Sequence, residues 1–194
     1  MTVLYVVVGY CALYAVIWLH EVGHSVVYAN YECKDNPFKV HVPVYLFFST
    51  PRPVNVERAR HLTPKQSFHV GVGGIFVNFL FGIPLAALFL ITKYDPSLFM
   101  FFFYTFALFH LVEAATYLTI SNVFLASDMI SVQNYKPTYR IPFFVIGLAT
   151  VAVIVMMIVN APEAWKVGYI ISICIMTLCM GLGRTIFSRG AQAL

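Results

Sequence analysis

The chain has 194 residues, of which 60% are hydrophobic and only 10% charged, and its mean hydropathy is +0.81. Soluble domains are about half apolar and about a quarter charged, so this composition excludes an ordinary soluble enzyme and reads as an integral membrane protein. The length suits one compact helical bundle with no sizeable soluble domain beside it, and the net charge of +4 does not point to nucleic acid, because the basic residues lie in connections.

Crossing a bilayer takes about 20 mostly apolar residues. Five stretches qualify: Val3 to Tyr28, Phe68 to Ile91, Ser97 to Leu118, Ile141 to Val159 and Val167 to Phe187. The first lacks a basic leader and a small-residue cleavage site, so it reads as a retained helix and not as a signal peptide. A long polar connection, Asn30 to Leu62, follows it. Within this connection Phe38, Val40, Val42, Val44 and Leu46 alternate as one face of a strand would. Pro43 restricts that strand to a sheet edge, and "STPRPVNV" reads as a turn into a second short strand. The expected fold is an all-α polytopic membrane protein with about five transmembrane helices and a small β-hairpin at the membrane surface after the first.

Thr63-Pro64-Lys65-Gln66 gives the second long helix a clear start, with a capping threonine, a proline at the first helical position and a glutamine three residues after the threonine. Gly71, Gly73 and Gly74 on this helix allow close helix approach. In the third helix the phenylalanines of "LFMFFFYTFALF" are most simply read as lipid-facing. Cys11, Cys33, Cys174 and Cys179 contain no C-x-x-C pair, which indicates neither a zinc knuckle nor a disulfide framework.

The basic residues divide unevenly between the two faces. Ten (Lys34, Lys39, Arg52, Arg58, Arg60, Lys65, Lys136, Arg140, Arg184 and Arg189) fall on the face reached after the first helix, and only Lys93 and Lys166 fall on the other. The positive-inside rule makes the richer face cytoplasmic, with the N-terminus outside and the C-terminus in the cytoplasm.

The first helix carries chemistry unusual for a membrane span. His20, Glu21 and His24 form H-E-x-x-H. Ionisable groups at membrane depth are costly and read as functional by default. On a helix the two histidines share one face, about 6 Å apart along the axis, and together can bind one zinc ion. The intervening glutamate then stands beside a water polarised by the ion and can take its proton. The plainer alternative is a pair of interfacial histidines with a glutamate reaching towards water. His110 and Glu113, one turn apart in the third helix, are either metal ligands, partners that orient a ligating histidine, or a mutually bonded pair that stabilises the bundle. His41, His61 and His69 read as ordinary interfacial residues.

"HEVGHSVVYA" resembles the site-2 protease family of intramembrane zinc metalloproteases, whose first motif is H-E-x-G-H on a membrane helix. "GGIFVNFLFG" places Gly74 and Asn78 as G-x-x-x-N, similar to that family's G-P-x-x-N segment. The third motif, N-x-x-P-x-x-x-L-D-G, finds its nearest match in "SNVFLASDM", where Asn122 and Asp128 stand two residues closer together and the proline and glycine are absent. The resemblance covers a three-helix metalloprotease core within residues 1–132, and residues 133–194 add two helices to the same membrane domain. It implies one zinc ion held by His20, His24 and Asp128, with Glu21 as the catalytic base. It also implies substrate or transition-state contacts from Asn78 and Asn122, and an active site towards the cytoplasmic face. The implied partners are a transmembrane protein substrate, membrane lipid and a regulatory membrane protein. Glu113 is the competing carboxylate for the third ligand position. Two other functions fit the same residues. One is a zinc-binding homologue that acts as a regulatory subunit without proteolysis. The other is a membrane oxidoreductase with a non-haem metal on His20, His24, His110 and Glu113.

Overall fold

A computed structural model describes residues 2–46, 48–93 and 96–192. The elements in chain order are α1 (Thr2–Asn30), α2 (Val56–Arg60), α3 (Pro64–Ile91), α4 (Leu98–Thr116), a π-helical turn (Tyr117–Ser121), α5 (Asn122–Phe124), α6 (Met129–Tyr135), a 3-10 turn (Pro137–Tyr139), α7 (Arg140–Asn160) and α8 (Glu163–Gln192). Five segments are long and apolar enough to cross a membrane: Val3–Asn30, Pro64–Ile91, Leu98–Phe124, Pro137–Asn160 and Glu163–Met180. Large apolar side chains such as Val6, Phe76, Ile83, Val145 and Ile171 point outwards. An outer surface of this kind is stable against lipid, where helices satisfy their own backbone hydrogen bonds.

The capping box expected at Thr63 is present, with its hydroxyl accepting from the Gln66 backbone N–H and the Gln66 side chain accepting from the Thr63 backbone N–H. α4 occupies the centre, with α1, α3, α7 and α8 packed around it. Every residue from Tyr104 to Thr116 is buried. This corrects the reading of the phenylalanine-rich stretch as lipid-facing. Phe106 and Phe109 fill the core, while Phe99 at the helix start is exposed. A helix apolar on all sides suits the middle of a bundle as well as it suits lipid.

The β-hairpin is also corrected. Among the described residues there is no strand, and His41 and Thr50 form one isolated antiparallel bridge. Leu46 and Phe48 adopt left-handed backbone angles of 65° and 61° in φ, and prolines at 43, 51 and 53 cannot donate to a ladder. The connection is held by side chains instead. The Lys34 ammonium, buried at the end of α1, donates to the carbonyls of Lys39 (2.7 Å), Pro51 (2.6 Å) and Pro53 (2.8 Å).

α1 and α3 approach to backbone contact beside the site. A Cβ on Gly23 would lie 2.5 Å from the Gly73 carbonyl oxygen, and one on Gly73 would lie 2.7 Å from that of Gly23. Only glycine at both positions permits this spacing, and it brings the histidine face of α1 onto α3.

Candidate metal centre

His20, Glu21 and His24 lie in the second half of α1 and are 1%, 7% and 5% exposed, packed inside the bundle and not on its outer surface. Their surroundings fix them. The Nδ1–H of His24 donates to the backbone carbonyl of Val70 at 2.7 Å. A carbonyl only accepts, so the proton of neutral His24 sits on Nδ1 and Nε2 presents a lone pair. His20 Nε2 stands 3.0 Å from that atom. Its ring lies parallel to Tyr117, with centroids 4.8 Å apart and 9° between the planes. Gly74 leaves the space both rings occupy, since a Cβ there would lie 2.5 Å from Cε1 of His20 and 2.6 Å from Nε2 of His24.

The third donor arrives from the far end of α4. The π turn and α5 carry the chain past Tyr117. Leu125 and Ser127 then reverse it in the left-handed region, with φ of 51° and 53°, and the backbone N–H of Ala126 donates to the Ser121 carbonyl at 2.9 Å. Residues other than glycine rarely adopt this conformation. Here two of them make a turn that returns Asp128 to α1. Asp128 Oδ2 lies 3.3 Å from His24 Nε2 and 3.6 Å from His20 Nε2. Buried, this oxygen meets neither imidazole in hydrogen-bond geometry. α6 is seated on α3 at Gly71, where a Cβ would lie 1.9 Å from the Ser131 hydroxyl oxygen and 3.0 Å from the Asp128 carbonyl.

His20, His24 and Asp128 thus offer ligand atoms within 4.8 Å of one another and could hold a metal ion. Two nitrogens and a carboxylate oxygen converge on one point, with His24 set in the ligating tautomer. This fits a divalent cation of the zinc or iron type, for which two histidines and one carboxylate are a familiar donor set. No family model, curated protein or solved structure matches the chain. Function must therefore be inferred from the site itself.

Glu21, His24 and Asp128 line a cavity of about 810 Å3 together with Glu113, Tyr117 and Ser49. Glu113 shares the cavity with His24 and Asp128 but does not belong to the three-residue group. Asn78 is fully buried between two imidazoles, with its amide 3.1 Å from Nδ1 of His20 and 2.9 Å from Nδ1 of His110. Asn122 faces elsewhere. Its side-chain oxygen accepts from Nε of Arg140 at 3.1 Å and its amide donates to the Arg140 carbonyl at 2.8 Å, so it ties α5 to the start of α7. His69 accepts from or donates to the Tyr31 hydroxyl at 2.5 Å.

Sequence reasoning missed several contributors. The Val70 carbonyl carries no side-chain signal. Tyr117 joins the site by stacking on His20, a contact between helices that the sequence does not signal. Lys34 reads in sequence as a topological charge, yet it holds Pro51 against α1, where the Pro51 carbonyl also accepts from the Ser25 hydroxyl at 3.3 Å. Burial first, then the charge of Lys39, lower the pKa of its ammonium.

Proposed function

We infer that the chain is an intramembrane zinc metalloprotease of the site-2 protease type, oriented with its loop-rich face in the cytoplasm. The observation that carries this reading is the convergence of His20, His24 and Asp128, with Glu21 on the wall of the cavity that His24 and Asp128 line. His20 and His24 would hold the ion through Nε2, and Asp128 through Oδ2. The chemistry a bound zinc supplies is Lewis acidity, which brings the pKa of a water to about 7.

Glu21 lines the cavity that His24 and Asp128 also line, and there its carboxylate would serve as the base. It accepts the proton of the attacking water as the new C–O bond forms. It then passes that proton to the amine nitrogen as the peptide C–N bond breaks. Burial of the site excludes competing water and strengthens each charge interaction. The cavity wall is mainly apolar, with Ile17, Leu46, Phe48, Val70 and Met180 among its residues, and suits a substrate segment drawn from a membrane span. That segment must be locally extended, because a helix hides its carbonyls in its own hydrogen bonds.

The donor set also supports a second reading, since two histidines and one carboxylate bind iron in oxygenases. Glu21 between the histidines favours hydrolysis, because an acid–base carboxylate at that spacing has a role in water activation. The test uses the full chain purified in detergent, analysed for metal, and reconstituted with a library of tagged single-span membrane peptides. Expected are stoichiometric zinc and new peptide termini that vanish on chelation. Iron in place of zinc favours the oxidoreductase reading. Zinc without new termini favours the non-proteolytic regulatory subunit.

A further inference from the structure

His24 and His20 are held differently. The proton of His24 is fixed by a carbonyl, which has only one possible role. His20 has no carbonyl at Nδ1; its partner there is the Asn78 amide at 3.1 Å. An amide has one end that accepts and one that donates, and the other end of this one meets Nδ1 of His110 at 2.9 Å. The two imidazoles therefore cannot both donate to Asn78, nor both accept from it. In the structure Nδ2 faces His20 and Oδ1 faces His110, and in that setting the proton of His20 lies on Nε2, the atom that faces His24 and Asp128. Turning the amide over exchanges its ends without moving either ring, and the proton of His20 then lies on Nδ1.

The surroundings of His110 choose between these settings. His110 is fully buried, and its Nε2 has no hydrogen-bond partner among the described residues. Its ring is stacked on Phe81 at 5.6 Å and in T-shaped contact with Phe106 at 4.4 Å. Among aromatic rings an N–H finds a weak acceptor, and a lone pair finds none. His110 thus places its proton on Nε2 and offers Nδ1 as an acceptor. With the amide turned over from its setting in the structure, Nδ2 of Asn78 would donate to that atom and Oδ1 would face His20, where it requires an N–H.

We propose that His110 is a positioning residue of the metal centre: through the Asn78 amide it holds the proton of His20 on Nδ1 and leaves the Nε2 lone pair for the cation. The inference rests on the reading of His20, His24 and Asp128 as ligands. It goes beyond that reading by giving a residue that lines no part of the donor group control over ligand form.

The test measures zinc affinity of the full chain in detergent by competition with a chelator, beside thermal unfolding of each metal-free variant. His110→Leu should weaken zinc binding by about 10- to 100-fold, the usual loss when a ligand's hydrogen-bond partner is removed. His110→Asn, whose oxygen can replace Nδ1 as acceptor, should restore most of it. Asn78→Asp accepts from His20 whatever stands at 110, so the double variant Asn78→Asp/His110→Leu should bind more tightly than His110→Leu alone. A purely structural role predicts no such recovery. 15N-histidine NMR of the zinc-loaded parent needs no variant, and should show His110 protonated at Nε2 and unprotonated at Nδ1. Parent-like zinc binding by His110→Leu, a double variant no tighter than the single, or a proton on Nδ1 of His110 each overturns the proposal. A parent chain that takes up no zinc overturns the metal reading itself, a distinct result.

Discussion

A Cβ on Gly74 would lie 2.6 Å from Nε2 of His24, so that edge of the imidazole rests on bare α3 backbone. The neighbouring Gly73 faces the carbonyl of Gly23 instead. The two glycines therefore make different predictions. Gly74→Ala should displace the imidazoles and lower zinc affinity about 5- to 150-fold, since overpacking typically costs about 1–3 kcal/mol. Gly73→Ala should push α1 from α3 and lower the unfolding temperature even without metal. Chelator competition and thermal unfolding on both variants check this, and equal zinc affinity for Gly74→Ala and the parent would contradict it.

Glu21→Gln preserves the shape of the side chain and leaves all three donors in place. It should retain zinc at the level of the parent and lose hydrolysis, because no carboxylate remains to accept a proton. New peptide termini from the zinc-loaded variant would remove Glu21 from the role of base.

Asp128 and Glu113 both line the cavity, and Asp128 stands within 3.6 Å of both imidazoles in the group that could hold a metal ion. Asp128→Ala should cost most of the zinc affinity and all hydrolysis. Glu113→Ala should leave zinc largely bound while lowering hydrolysis in part. Metal content measured on both purified variants decides between them: a metal-free Glu113→Ala beside a metal-loaded Asp128→Ala reverses the assignment.

Lys34→Met removes the donor shared by three carbonyls. The connection should loosen between residues 38 and 53, with a stability loss of about 2 kcal/mol, in the range for buried acceptors left without a partner. Limited proteolysis should cut this segment faster than in the parent. Unchanged cleavage rates would show that the loop is held by other contacts.

Orientation calls for an exposed probe. Cys33 is 1% exposed, with its thiol bonded to the Tyr31 carbonyl, and cannot serve. Glu57 on α2 is exposed. In a chain with Cys11, Cys174 and Cys179 replaced, Glu57→Cys should resist an impermeant thiol reagent in intact cells and react after permeabilisation. Labelling in intact cells places the basic face outside, against the ten-to-two distribution of charge.

Apolar length by itself determined the five spans, and helical periodicity placed His20, Glu21 and His24 on a single helix, because both signals are local to the chain. The capping box at Thr63 was legible for the same reason. What tertiary structure alone decided lies between elements. The strand alternation after α1 gave way to a loop organised by Lys34, since three carbonyls around one buried ammonium outweighed a pattern interrupted by prolines. The return of Asp128 depends on a π turn and two left-handed residues, Leu125 and Ser127, whose types do not announce that geometry. Asn122, Asn78 and His110 look alike in sequence, as polar residues in apolar surroundings. Packing sent the first to Arg140 and placed the other two in line with His20, because a buried polar group must take whichever partner the neighbouring helix brings within hydrogen-bond reach.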